Sequence, residues 1–387
     1  HTNTATLDHG GSFARTVRFK APPILPRSLS SYQPIHQNNK HGQRHVASVK
    51  RVVYYDILNV VAAFSVVLMH TNEAYWNFRP TKTWVMNLII EKSLKFAVPI
   101  FFMLTGATLM DYREKYSTGK YAQKRIRRAV IPFLFWSIIG LLFSRFLTHS
   151  TPSSSIAHYI NMIITTSIPE VNVYWFFIPL FLAYLAIPVF SCIPSSKRND
   201  IFSFLIIWYL VFTAAKAFLP LIGVQVNSIL DNPFTANDLV YVLLGYLLSN
   251  NNIDKRITRA LIVLGFLAVL STVLGSLTAS FASNKLVNAT IFESAYFLWP
   301  IAVFLICKAL FSNNSLGSRV SSLFAQISAY TFGIYLVHRY LLIIVVRLFH
   351  VKVILWWWPC LGALIVFFAS ALLVFLLKHI PILKELV

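Results

Sequence analysis

The sequence predicts an all-α integral membrane protein of about ten transmembrane helices with both termini in the cytoplasm. Of its 387 residues 57% are hydrophobic and only 12% are charged, about half the charged share of a typical soluble domain. The mean hydropathy is +0.64. Apolar runs of about 20 residues without strict alternation indicate membrane-spanning helices and argue against a β-barrel.

Ten apolar segments are predicted to cross the membrane, the sixth being the shortest. They are 53–71, 88–110, 129–147, 173–191, 201–219, 237–250, 260–279, 293–311, 324–343 and 354–378. Residues 1–50 differ from this pattern, because they are rich in Pro, Ser, Asn, His and basic residues and have no hydrophobic period. We therefore predict a disordered basic N-terminal arm at 1–50 and one membrane domain at 51–387.

The basic residues are distributed unevenly between the two sides of the predicted membrane domain. The loops on the N-terminal side and the C-terminal tail carry fourteen Lys and Arg residues, whereas the opposite loops carry five. The positive-inside rule then places both termini in the cytoplasm of a multi-pass protein of the cell (inner or plasma) membrane. This bias accounts for the net charge of +21 without a nucleic-acid partner, and membrane lipids are the expected surroundings. The three cysteines show no metal or disulfide spacing, so no metal site is predicted.

The first span carries a polar stripe. Asn59 and His70 are eleven positions apart, about 20° past three full turns, and therefore share one helix face. Asp56 and Asn59 are neighbours at i,i+3, as are His70 and Glu73. Polar groups in lipid cost several kcal/mol without partners, so a functional role is expected for the stripe.

Helix rise sets the depth of these polar residues. At ~1.5 Å per residue, His70 lies about 24 Å beyond the start of the span, in the outer part of the bilayer. His338 reaches a similar depth in the ninth span, so both histidines are expected to line one outward cavity. A neutral imidazole is a suitable general base for a hydroxyl proton. Glu73 either orients His70 or is an interfacial charge, and each histidine alone is also compatible with a structural role.

A basic cluster, "KYAQKRIRRAVIP" at 120–132, begins the third span. Arg125 and Arg128 lie at i,i+3 and would form a two-guanidinium clamp for phosphate oxygens, which arginine binds in bidentate fashion. The alternative is an ordinary basic cluster that contacts lipid headgroups.

Taken together, these segments resemble the acyltransferase family 3 membrane proteins from about Val53 to Leu377. Asp56, Leu58 and His70 fit the family's D-x-L-R helix and its later His, although Asn59 stands at the Arg position. The remaining matches occur in the family's order. They are "FFMLTG" at 101–106, "KRIRR" followed by "IP", "YWFFIPLFLAYLAIP" at 174–188, "LLGYLL" at 243–248 and "SAYTFGIYLVH" at 328–338.

The resemblance implies a bacterial enzyme that acylates surface polysaccharides or related acceptors, with acyl-CoA, in particular acetyl-CoA, as the donor. Arg125 and Arg128 match residues thought to bind the donor phosphates, and His70 matches the proposed catalytic residue. Because Asn59 carries no charge, we expect Lys92 or Lys95 to supply one instead, or else an altered donor site with reduced activity.

We therefore predict an O-acyltransferase, specifically an O-acetyltransferase, that moves an acyl group from cytoplasmic acyl-CoA to a hydroxyl of an extracytoplasmic glycan or glycolipid. The acceptor would be a surface polysaccharide or a lipid-linked sugar. The predicted catalytic residues are His70, Glu73 and His338, and the predicted donor-binding residues are Arg125, Arg128, Asn59 and Asp56. The candidate oxyanion donors are Tyr335, Thr105 and the amides near Gly106.

Two other classes of function remain open from the sequence. A transporter or flippase of the glycan pathway would use the polar stripe as a substrate path. A structural or partner-binding subunit would follow if Asn59 marks lost activity.

Overall fold

The computed structural model describes residues 51–148, 155–227, 238–288, 296–312 and 316–387, and these residues form helices and connections without a strand. The predicted arm at 1–50 lies outside the described residues. In chain order the α-helices are α1 Val53–Thr71, α2 Lys82–Leu94, α3 Ala97–Leu109, α4 Thr118–Arg125, α5 Ile131–Thr148, α6 Ile156–Ile164, α7 Phe177–Phe190, α8 Ser195–Phe218, α9 Leu239–Asn250, α10 Lys255–Ser283, α11 Leu298–Phe311, α12 Ser318–Ser328, α13 Thr331–Leu348 and α14 Trp358–Lys378.

Within the described ranges, eight helical segments are long and apolar enough to cross a membrane. Two further helices, α9 and α11, are apolar but shorter. These segments overlap the ten predicted spans, and the all-α, multi-pass prediction is confirmed. The orientation of the termini stays a prediction.

Two of the predicted spans are broken in the structure. The span at 88–110 is interrupted at Lys95 and Phe96, because Pro99 lacks an amide proton and its ring clashes with the carbonyl four residues earlier. The span at 324–343 is interrupted at Ala329 and Tyr330. At this second break the Thr331 hydroxyl donates to the Ser328 carbonyl at 2.8 Å, which satisfies one exposed end of α12.

Helices α3 and α9 pack with their backbones in close approach. A Cβ on Gly106 would lie 1.9 Å from the Val242 carbonyl oxygen, and a Cβ on Gly245 would lie 1.9 Å from the Met103 carbonyl oxygen. Small residues allow membrane helices to approach in this way. The contact at Gly106 therefore depends on the absence of a side chain at that position.

Helix α1 lies among other helices of the bundle, where it packs against α3, α12, α13 and α14. Its polar stripe therefore meets protein groups, which is the arrangement that ionisable residues in a membrane require. The functional region is built where α1, α3, α7 and α13 converge.

Candidate active site

One cavity, which we call the basic cavity, lies near the N-terminal end of α1. Its volume is about 440 Å³, and its polar lining includes Arg51, Asp56, Asn59, Arg125 and Ser328. The rest of its wall is largely apolar. Its size falls within the range of roughly 300–1,000 Å³ that is usual for small-molecule sites.

Arg51 pairs with Asp56 in the basic cavity. Its Nε donates to Asp56 Oδ2 at 2.6 Å and its Nη2 donates to Oδ1 at 2.8 Å. The Asp56 side chain is 10% exposed and that of Arg51 is 58% exposed, so the carboxylate is covered while the guanidinium still faces the opening. Sequence reasoning missed Arg51 because it immediately precedes the first apolar span.

Asn59 holds the break between α12 and α13. Its amide donates to Thr331 Oγ1 at 2.8 Å and to Ser328 Oγ at 3.0 Å. The expectation that Lys92 or Lys95 replaces the missing arginine charge in this cavity does not match the geometry. Lys92 is buried and donates to Asn288 at 2.8 Å, whereas Lys95 lines a different cavity.

Of the two predicted clamp residues, the structure brings only Arg125 into the basic cavity. Its guanidinium carbon lies 5.4 Å from the centre of the Tyr184 ring, and its buried Nε has no hydrogen-bond partner among the described residues. Arg128 is exposed and outside the cavity lining. The segment Ile126–Val130 is a π-helix, which has more residues per turn than an α-helix, so the predicted i,i+3 alignment is lost.

A second cavity, which we call the histidine cavity, lies near the C-terminal end of α1. Its volume is about 670 Å³ and its charged lining comprises Glu73, Glu91, Lys95, Asp238 and Arg339, beside His70. Two partly exposed indoles, Trp76 and Trp175, also line this cavity.

The structure brings the two predicted histidines together. The ring centroids of His70 and His338 are 5.2 Å apart, in keeping with their similar predicted depth, but the prediction that both line one cavity is wrong for His338. His70 lines the histidine cavity, while His338 is fully buried behind it. His338 Nδ1 lies 2.7 Å from the Tyr335 carbonyl oxygen and must donate to it, since a carbonyl only accepts. In the neutral ring the lone pair then lies on Nε2, which has no partner among the described residues.

Glu73 pairs with a cation instead of with the predicted imidazole. Its carboxylate accepts a hydrogen bond and forms a salt bridge with Arg339. The same guanidinium donates through Nε to the Glu170 carbonyl at 2.9 Å. Arg339 thus brings a positive charge to the wall of the histidine cavity, and sequence reasoning did not assign it to the site although it adjoins His338.

The predicted oxyanion donors have other partners or positions. The Tyr335 hydroxyl donates to the Val173 carbonyl. Thr105 donates to the Phe101 carbonyl at 2.8 Å and lines the basic cavity, away from His70. Gly106 packs against the backbone of α9. The described ranges contain no group of three or more His, Cys, Asp or Glu side chains that could hold a metal ion.

The fold and the site together define a multi-pass helical membrane protein with an imidazole pair at one cavity and arginines at another. Residues 52–378 match the family described as Acyltransferase domain. The chain therefore belongs to acyltransferase family 3 and is an acyltransferase that transfers groups other than amino-acyl groups. No curated protein and no solved structure matched the chain.

Proposed function

We propose that this acyltransferase is an O-acetyltransferase of the cell membrane that moves the acyl group of cytoplasmic acyl-CoA to a hydroxyl of an extracytoplasmic glycan or glycolipid. The observation that carries the proposal is that the basic cavity and the histidine cavity share three wall residues, Phe101, Phe176 and Tyr335. Candidate phosphate-binding groups and a candidate base therefore lie in two adjacent cavities, on either side of one shared wall.

The donor half of the proposal rests on two guanidinium groups. Arg51 and Arg125 both line the basic cavity, and arginine binds phosphate oxygens through paired, charge-assisted hydrogen bonds. Asp56 neutralises Arg51 in part, so Arg125 supplies the greater share of the attraction. Arg128 would act only at the mouth of this cavity, from its exposed position on the π-helix.

The acceptor half rests on the histidine pair. His70 removes the proton of the acceptor hydroxyl while the hydroxyl oxygen attacks the acyl carbon. The new carbon–oxygen bond forms, the carbon–sulfur bond breaks, and the thiolate leaves with the proton that His70 took. His338 positions His70 through the contact of their rings, whose centroids are 5.2 Å apart. Arg339 stabilises the negative charge that develops on the carbonyl oxygen.

The test uses permeabilised membranes from cells that lack the chain and are complemented with wild type or variants. Acetyl-CoA labelled in the acetyl group is added, and label in the glycan fraction is measured. We expect transfer by the wild type and a loss of at least about 100-fold for His70→Ala, the usual contribution of a general base. His379→Ala is the matched control, because this histidine is exposed and lines neither cavity.

Two results would contradict the proposal. Full transfer by His70→Ala would remove the assigned base. No transfer above the deletion background, together with changed export of the glycan, would favour the transporter alternative.

A further inference from the structure

The two cavities are separated by an aromatic partition formed by Phe101, Phe176 and Tyr335, which we call the septum. The three residues come from separate elements, namely α3, the 3-10 turn Asn172–Phe176 and α13. Each lines both cavities. The direct route from one cavity to the other therefore runs past these rings.

Ring contacts close the septum. The centroids of Phe101 and Phe176 are 5.9 Å apart, and those of Phe176 and Tyr335 are 5.5 Å apart. Both distances lie within the ~4.5–7 Å of favourable aromatic pairs. Tyr335 is also held through its hydroxyl by the Val173 carbonyl. Phe176 is the middle ring, is 7% exposed and contacts both of the other rings.

On the side of the basic cavity an apolar collar adjoins the septum. Leu104, Leu180 and Phe332 line this cavity. Leu104 lies three residues after Phe101, Leu180 four residues after Phe176, and Phe332 three residues before Tyr335. Each pair is therefore about one helical turn apart, so its side chains are neighbours. On the other side, the ring of His338 lies 5.9 Å from that of Tyr335. The septum thus lies between the apolar collar of the basic cavity and the histidine pair.

We propose that the septum and its collar select the acyl group of the donor by chain length, with Phe176 as the specificity-determining residue. This inference rests on the proposed acyl transfer. A longer acyl group presents more bulk to these rings than a two-carbon group does, so each added methylene makes the displacement of Phe176 more costly. One methylene of mismatch in an apolar pocket changes the specificity constant by roughly 10- to 200-fold.

The experiment compares acetyl-, propionyl- and butyryl-CoA, each labelled in the acyl group, in the membrane assay described above. The wild type is expected to prefer acetyl-CoA. Phe176→Leu, which shortens the middle ring while keeping an apolar side chain, is expected to raise the butyryl-to-acetyl ratio of kcat/KM by at least about 10-fold. Phe101→Leu tests the same partition from α3 and is expected to shift the ratio in the same direction.

Phe202→Leu is the matched control, because Phe202 is fully buried and lines neither cavity. It should lower protein yield as much as the septum variants without changing the chain-length ratio. The amount of each variant that elutes as a single species from size exclusion in detergent corrects the rates for folding.

Two outcomes would overturn the inference while leaving acyl transfer intact. One is wild-type transfer of butyryl as fast as acetyl. The other is an unchanged ratio in both Phe176→Leu and Phe101→Leu. By contrast, an absence of transfer from every donor by the wild type would overturn the proposed function, and the inference with it.

Discussion

Replacing the glycine at the contact of α3 and α9 should destabilise the protein although the same change usually stabilises a helix. Alanine is favoured over glycine in a helix interior by about 1 kcal/mol. In Gly106→Ala, however, the new Cβ would lie 1.9 Å from a backbone carbonyl oxygen. The two helices must therefore separate by about 1.5 Å to reach an ordinary contact, and overpacking of this kind costs about 1–3 kcal/mol.

Because a backbone carbonyl cannot rotate away as a side chain can, we take the upper end of that range. The net effect is then a loss of about 2 kcal/mol, equivalent to roughly 3 °C in the apparent Tm for a domain of this length. Gly245→Ala should behave alike, since its Cβ would meet the Met103 carbonyl oxygen at 1.9 Å. Phe101 lies on α3, so acyl transfer should fall as well.

The assay is thermal unfolding of the purified protein in detergent, followed by tryptophan fluorescence. Gly119→Ala is the matched control, because its Cβ would meet nothing within 4 Å and the variant should melt at the wild-type temperature or above it. Equal melting temperatures for Gly106→Ala and Gly119→Ala would refute the packing argument.

Three further predictions concern the charged residues. Arg125→Ala should raise the KM for acetyl-CoA by about 10-fold or more, and a larger effect of Arg128→Ala in the same kinetics would contradict the cavity geometry. Asp56→Asn should lower stability by no more than about 1 kcal/mol, because its partner Arg51 is largely exposed; a larger drop in thermal unfolding would count against this. Arg339→Ala should lower kcat by about 100-fold or more with little change in KM, and an unchanged kcat would exclude Arg339 as the oxyanion group.

The positions of the two histidines could be predicted because helix geometry is regular. A fixed rise per residue sets the depth of His70 and His338 once the spans are known. The contact of their rings also required that α1 and α13 turn these faces toward each other, which the depth alone does not fix. The break at Lys95 and Phe96 also has a cause in the sequence, because Pro99 follows Phe96 by three residues.

The basic cavity could not be predicted to the same degree. The π-helix that separates Arg125 from Arg128 leaves no signature in the spacing of apolar residues, so α-helical geometry was assumed. Arg51 is the first residue of the predicted membrane domain but precedes its first apolar span, so it was not assigned to the site. The pairing of Glu73 with Arg339 depends on how α1 and α13 are rotated against each other, which one sequence does not specify.

The relation between Arg51 and Asn59 bears on how activity is inferred from alignments. At the position where the resemblance implies an arginine, this chain has the uncharged Asn59. A comparison of alignment columns alone would therefore classify the chain as inactive. Yet two guanidinium groups still line the same cavity, one of them reaching it from eight positions earlier. Searches for inactive members of such a family should therefore compare the charged groups that line the cavity, and not only the residue type in one alignment column.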